Sequence, residues 1–165
     1  MRVYRYVGPD EIRAAAVHAA PGTPIHSRAE LERWLAVHGA DADGDTVPAT
    51  YVVTEDGVLR IASRRSEHVA CAGGQPVLAA GEMFFARDHA VEISNLSTGY
   101  CPEPGCWTVV ADALDRAGLA HPTRFTTEIT FRRCSACGER NVVKDEFFVC
   151  AVCDADLPVD WNFQD

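Results

Sequence analysis

Seven cysteines stand in this 165-residue chain, and four of them fall into two pairs, Cys134-Ser-Ala-Cys137 and Cys150-Ala-Val-Cys153, separated by twelve residues. Two thiolates spaced by two residues on a tight turn can point at one cation, because the turn's amides face the sulfurs and spread their charge. A pair of such turns brought together by a hairpin completes a tetrahedral S4 shell, the arrangement that suits Zn²⁺. Gly138, directly after the first pair, supplies the backbone freedom such a turn needs. Four thiolates accept iron as well as zinc.

Two further stretches carry polar residues that a plain core does not require. One holds Arg64, Arg65, Glu67, His68 and Cys71; the other holds Asn95, Ser97, Thr98, Tyr100, Cys101, Glu103 and Cys106. Each follows a pair of expected strands, so one sheet edge can bring them together, and loops carried on a sheet are common places for sites. His68, Cys71, Cys101 and Cys106 are candidates for a second zinc, although Cys101 and Cys106 are four residues apart where two is usual. A thiolate nucleophile activated by His68 is a second reading, and anion binding by Ser97, Thr98 and the Gly99 turn beside Arg64 and Arg65 is a third. The alternative to all three is structural: free cysteines behave as small buried hydrophobes, and Ser and Thr in such loops make local turn hydrogen bonds. Asp41-Ala-Asp43-Gly44-Asp45 lacks the Gly and Glu positions of a calcium loop and reads as an acidic surface turn.

The stretch from about Phe131 to Leu157 resembles the zinc-ribbon family, which implies a metal-stapled β-module bound by Cys134, Cys137, Cys150 and Cys153 and no particular activity. Residues 50–118 are similar in order of parts to the zinc-dependent deaminases: a hairpin, a His-bearing segment, strand material, then a Pro- and Cys-containing turn opening a helix. That resemblance implies zinc on His68 and two cysteines, with a Glu two residues after the His to move protons. Ala70 stands at that position here, and Cys101-Pro-Glu-Pro-Gly-Cys106 is longer than the deaminase turn.

The elements that must hold these residues read as follows. Arg2 to Val7 alternates as a strand, and Gly8-Pro9-Asp10 opens a helix expected to run to about Ala20. Ser27-Arg-Ala-Glu30 has capping-box spacing, with Leu31, Trp34, Leu35 and His38 on one helical face and Gly39 at its end. Residues 50–54 and 58–62 flank Glu55-Asp56-Gly57 as a β-hairpin. A second hairpin is expected over 82–96 with its turn near Asp88-His89, and Trp107, Val110, Ala111 and Leu114 mark a third helix stopping at Gly118. Phe125 to Phe131 alternates as a half-exposed strand leading straight into the first cysteine pair. The order predicts an α+β fold, a mostly antiparallel sheet with about three helices over 1–130, and a ribbon over 131–165 packed on that body through Trp161 and Phe163.

Composition narrows the function classes. A net charge of −9 argues against nucleic acid, and residues 134–165 carry seven acids against Arg140 and Lys144. Charged residues fill Met1 to Ala20, where an export signal would need an apolar core, and no apolar run is long enough to span a bilayer, so a cytoplasmic protein with reduced thiols is expected. Lys144 is the only lysine against fourteen arginines, the mark of a GC-rich coding bias. The reading is a small zinc-binding adaptor or binding module for a protein or small-molecule partner. The competing class is a metal- or cysteine-dependent enzyme, a hydrolase or deaminase-like protein, with its site at His68, Cys71, Ser97, Thr98, Tyr100 and Cys101.

Overall fold

In the computed structural model, which describes residues 1–163, one five-stranded antiparallel sheet carries the body. Its strands are β1 (Thr23–Ile25), β2 (Val47–Thr54), β3 (Leu59–Ser63), β4 (Val77–Ala86) and β5 (His89–Ile93), in the order β1-β3-β2-β4-β5. Both expected hairpins are present: β2 pairs with β3 across the Asp56-Gly57 turn, and β4 with β5 across Arg87-Asp88. In the first turn only Gly57 takes a positive φ (78°), and Thr54 Oγ1 donates to Asp56 Oδ1 at 2.6 Å. That hydrogen bond, more than any other influence, holds the Asp56 carboxyl below its usual range.

Strand β2 is central. Its residues Tyr51, Val52 and Val53 are consecutive and all buried, so both faces of the strand are covered. Helix α4 (Trp107–Arg116) packs against β2, β3 and β4 with Val109, Val110, Ala113 and Leu114, and the short α3 (His68–Cys71) packs against β2 and β3. Helix α2 (Arg28–His38) starts at Ser27, whose hydroxyl accepts from the Glu30 amide, and buries Leu31 and Trp34. Gly81 in β4 has a packing reason to be glycine: a Cβ there would lie 1.9 Å from the Ser94 carbonyl oxygen.

The edges differ from the expected pattern. Arg2 to Val7 makes one antiparallel bridge, Tyr4 to Val77, and Val7 then bonds the Gly99 carbonyl instead of continuing a ladder. Helix α1 (Asp10–Ala16) ends before Ala20; it buries no residue, and its chain tightens into i→i−3 turns at His18 and Ala19. Thr23–Ile25, following Pro21 and Gly22, is an edge strand on β3. Residues 125–129, expected as a strand, bend at Thr126 and make one isolated bridge, Ser94 to Thr127, and side chains hold them: Thr126 Oγ1 accepts from the Ile93 amide, and Asn95 brackets Ile129. Regular pairing begins at β6 (Thr130–Arg133), which joins β7 (Arg140–Val143) in a two-stranded sheet.

No helix among the described residues is long and apolar enough to cross a membrane. Among the described residues, four α-helices, two of them short, and two antiparallel sheets make the fold α+β.

Candidate metal centre

The hairpin of β6 and β7 sets the two cysteine pairs facing one another. In the first turn the Gly138 amide donates to the Cys134 carbonyl at 2.8 Å, and in the second the Asp154 amide donates to the Cys150 carbonyl at 3.0 Å. The turns repeat one another down to the residue after each pair, since Gly138 (φ 79°) and Asp154 (φ 60°) are both left-handed. Between them Asp145 and Glu146, also at positive φ, reverse the chain.

The four sulfurs lie within 4.8 Å of one another, with Cys134 and Cys153 Sγ 3.6 Å apart and Cys137 and Cys150 Sγ 3.7 Å apart. A tetrahedral S4 shell with metal–sulfur bonds of about 2.3 Å has edges of about 3.8 Å, so the residues present fit the ion that the spacing implies. Cys134 and Cys150 are buried, while Cys137 and Cys153 face solvent.

Electrostatics favour a cation between them. The Val152 amide does most to pull the Cys150 thiol down to about 6, with the Cys153 amide and the Asn141 carboxamide adding to it against the cost of burial. The Cys137 amide is the largest influence lowering the Cys134 thiol. At Cys153 the Ala155 amide favours the thiolate, yet the side chains of Cys134 and Cys137 outweigh it and push the thiol up to about 12. Like charges this close cannot all ionise without a counter-charge, which a divalent ion supplies.

Asn141 is the residue that the cysteine pattern does not reveal. It is buried on β7, and its carboxamide reaches the Glu139 carbonyl, Cys150 Sγ and the Ala151 amide. The available signal was a lone Asn in the strand Arg140-Asn-Val-Val143.

The ribbon is tied to the body by its own tail. Arg132 donates to the carbonyls of Pro158 and Val159, and the Asn162 carboxamide pairs with both backbone groups of Arg133 at 2.8 Å each. Trp161 Nε1 donates to the Cys101 carbonyl at 2.7 Å, and its ring meets Tyr4 edge-on. Phe163 is buried with Phe131 and Cys101. Gln164 and Asp165, the end of the expected 131–165 module, lie outside the described residues.

The other candidates go to separate places. Among the described residues the four ribbon cysteines form the one group of His, Cys, Asp and Glu side chains close enough to share an ion, so the geometry expected of a second zinc at His68, Cys71, Cys101 and Cys106 is not assembled. His68 Nε2 donates to the Gly81 carbonyl at 2.9 Å, and burial lowers its pKa. Cys71 sits near the carbonyls of Thr50 and Arg60, Cys101 near that of Thr98, and Cys106 under Tyr4 and Val109; burial pushes all three thiols up to about 12. Tyr100 spends its hydroxyl on the Gln75 carbonyl, Thr98 supplies its carbonyl to Cys101 and Arg140, and the buried Ser97 hydroxyl has no partner. Asn95 uses its carboxamide to clamp Pro102 and Ile129. In these two loops His68, Asn95 and Tyr100 spend their side chains on backbone groups of neighbouring segments rather than on one another.

Compared with protein-family models, with curated proteins and with solved structures, the chain finds no match in any of the three.

Proposed function

We propose that the chain is a small binding module in which one Zn²⁺, held by Cys134, Cys137, Cys150 and Cys153, has a folding role. The observation that carries this is the closed set of four sulfurs. Four S ligands leave no position for water or substrate, so the ion's contribution is to fix the hairpin and the tail that follows it. The competing enzyme reading draws little from the remaining candidates, because thiols at about 12 are protonated at neutral pH and make poor nucleophiles. The acidic balance of the chain favours a small-molecule or protein partner over nucleic acid.

Elemental analysis of protein purified without added metal tests this. One zinc per chain is expected in the wild type and in Cys101→Ser, and none in Cys150→Ala, whose tail becomes protease-sensitive. Two zincs falling to one in Cys101→Ser would replace the binding-module reading with the enzyme reading, and a Cys150→Ala tail that stays ordered without metal would remove the structural role.

A further inference from the structure

A cleft of about 790 Å³ lies where the N-terminal segment, the start of α1 and the tail behind the ribbon meet. Three arginines line it, Arg5, Arg13 and Arg133. None of the ion pairs among the described residues involves any of the three. Two carboxylates, Asp10 and Glu55, also line the cleft without pairing to them.

Each arginine is held differently. Arg13 donates to the Tyr6 carbonyl at 2.7 Å and stacks over the Tyr6 ring. Arg133 lies over the Phe163 ring, its Nε is buried with no acceptor, and its backbone is clamped by Asn162. Arg5 is exposed and makes no ion pair among the described residues. Val3, Val7, Tyr6 and Phe163 form the apolar part of an otherwise polar lining.

We infer that this cleft binds a phosphate-bearing small molecule with a planar aromatic body, of the size and chemistry of a nucleoside monophosphate, with Arg5, Arg13 and Arg133 on the phosphate. Guanidinium forks match phosphate oxygens two at a time, and a polar cleft that also carries ring faces offers a place to each part of such a ligand. The volume suits a ligand of that size. Polymeric nucleic acid is disfavoured, because three arginines in one cleft of a chain at −9 hold a single phosphate group and leave the neighbouring ones facing acids. The inference rests on the binding-module reading and names the ligand class for it. Arg133 directly precedes the metal ligand Cys134, so the ribbon supplies one wall of the site.

The test is titration calorimetry of the zinc-loaded full chain with the four ribonucleoside 5′-monophosphates, the matching nucleosides and inorganic phosphate, with zinc counted in the same samples. At least one monophosphate is expected to bind about tenfold or more tighter than its nucleoside and than inorganic phosphate. Arg5→Gln should weaken that binding by about tenfold or more, the scale of one lost charged hydrogen bond, while Arg28→Gln, on the distant pair with Asp88, should leave it unchanged. No monophosphate binding by protein carrying one zinc per chain overturns the ligand class and leaves the metal reading standing. Equal binding of inorganic phosphate, or full affinity in Arg5→Gln, also overturns it. Folded protein that takes up no zinc sinks the metal reading separately.

Discussion

Asn141 Nδ2 lies 3.5 Å from Cys150 Sγ while Asn141 Oδ1 accepts from the Ala151 amide at 2.9 Å, so one carboxamide on the first arm of the ribbon holds the cysteine turn of the second. Groups in this position orient a metal ligand and stabilise its thiolate, and their loss typically weakens metal affinity by about 10–100-fold. Asn141→Ala is therefore expected to lower zinc affinity in that range in a competition with a chromogenic chelator, with the body's thermal unfolding unchanged. Wild-type affinity in the variant would mean that the carboxamide serves packing alone.

Thiol reactivity separates the seven cysteines into two classes. Cys71, Cys101 and Cys106 are buried with thiols at about 12, and the ribbon four are occupied when metal is bound. Iodoacetamide at pH 7.5 should label none of the seven in the zinc-loaded protein within the time that labels an exposed free cysteine. After chelation it should label the ribbon four, the exposed Cys137 and Cys153 among the first, as read by peptide mass spectrometry. Rapid labelling of Cys71 or Cys101 in the loaded protein would revive the nucleophile reading.

His68 gives the body a pH dependence of defined sign. Burial lowers its folded pKa below the ordinary 6.5, and the bond to the Gly81 carbonyl only partly offsets this. The unfolded chain then binds the proton more readily, so the contribution is fully present above 6.5 and is lost as pH falls from there through the folded value. Gln keeps an N–H for the Gly81 carbonyl and cannot titrate. His68→Gln should thus show a shallower fall in denaturation midpoint between pH 7.5 and 5 than the wild type; parallel curves would remove His68 as the source.

What the sequence made legible, and what it hid, follows from the range of the interactions. The two cysteine turns, the capped α2 and the Asp56-Gly57 hairpin are set by residues within a few positions of one another, and each stands where its pattern placed it. Thr23–Ile25 is a strand only because β3 lies beside it, and 125–129 owes its path to Asn95 and Thr126, so neither shows in a local window. The same holds for function. His68 and Cys101 are near in pattern and apart in space, whereas Arg5, Arg13 and Arg133 share a cleft although Arg133 is 120 residues further along. Asn141 was readable as an oddity and not as a clamp.

The near-identity of the two cysteine turns makes one substitution a test of backbone strain. Asp154 takes φ 60° at the place where the first turn has Gly138, and its amide makes the same bond to the first cysteine's carbonyl. A non-glycine residue pays for the left-handed region through its Cβ, although Asp is among the residues that tolerate it best. Asp154→Gly removes that cost and also takes a carboxylate away from four thiolates, two effects of the same sign. The gain expected is about 0.5–1 kcal/mol, seen as slower proteolysis of the tail and slower zinc transfer to a chelator. The reverse exchange, Gly138→Asp, should cost a similar amount by the same two readouts. If Asp154→Gly instead weakens the ribbon, then the Asp154 side chain contributes an interaction larger than the strain it brings.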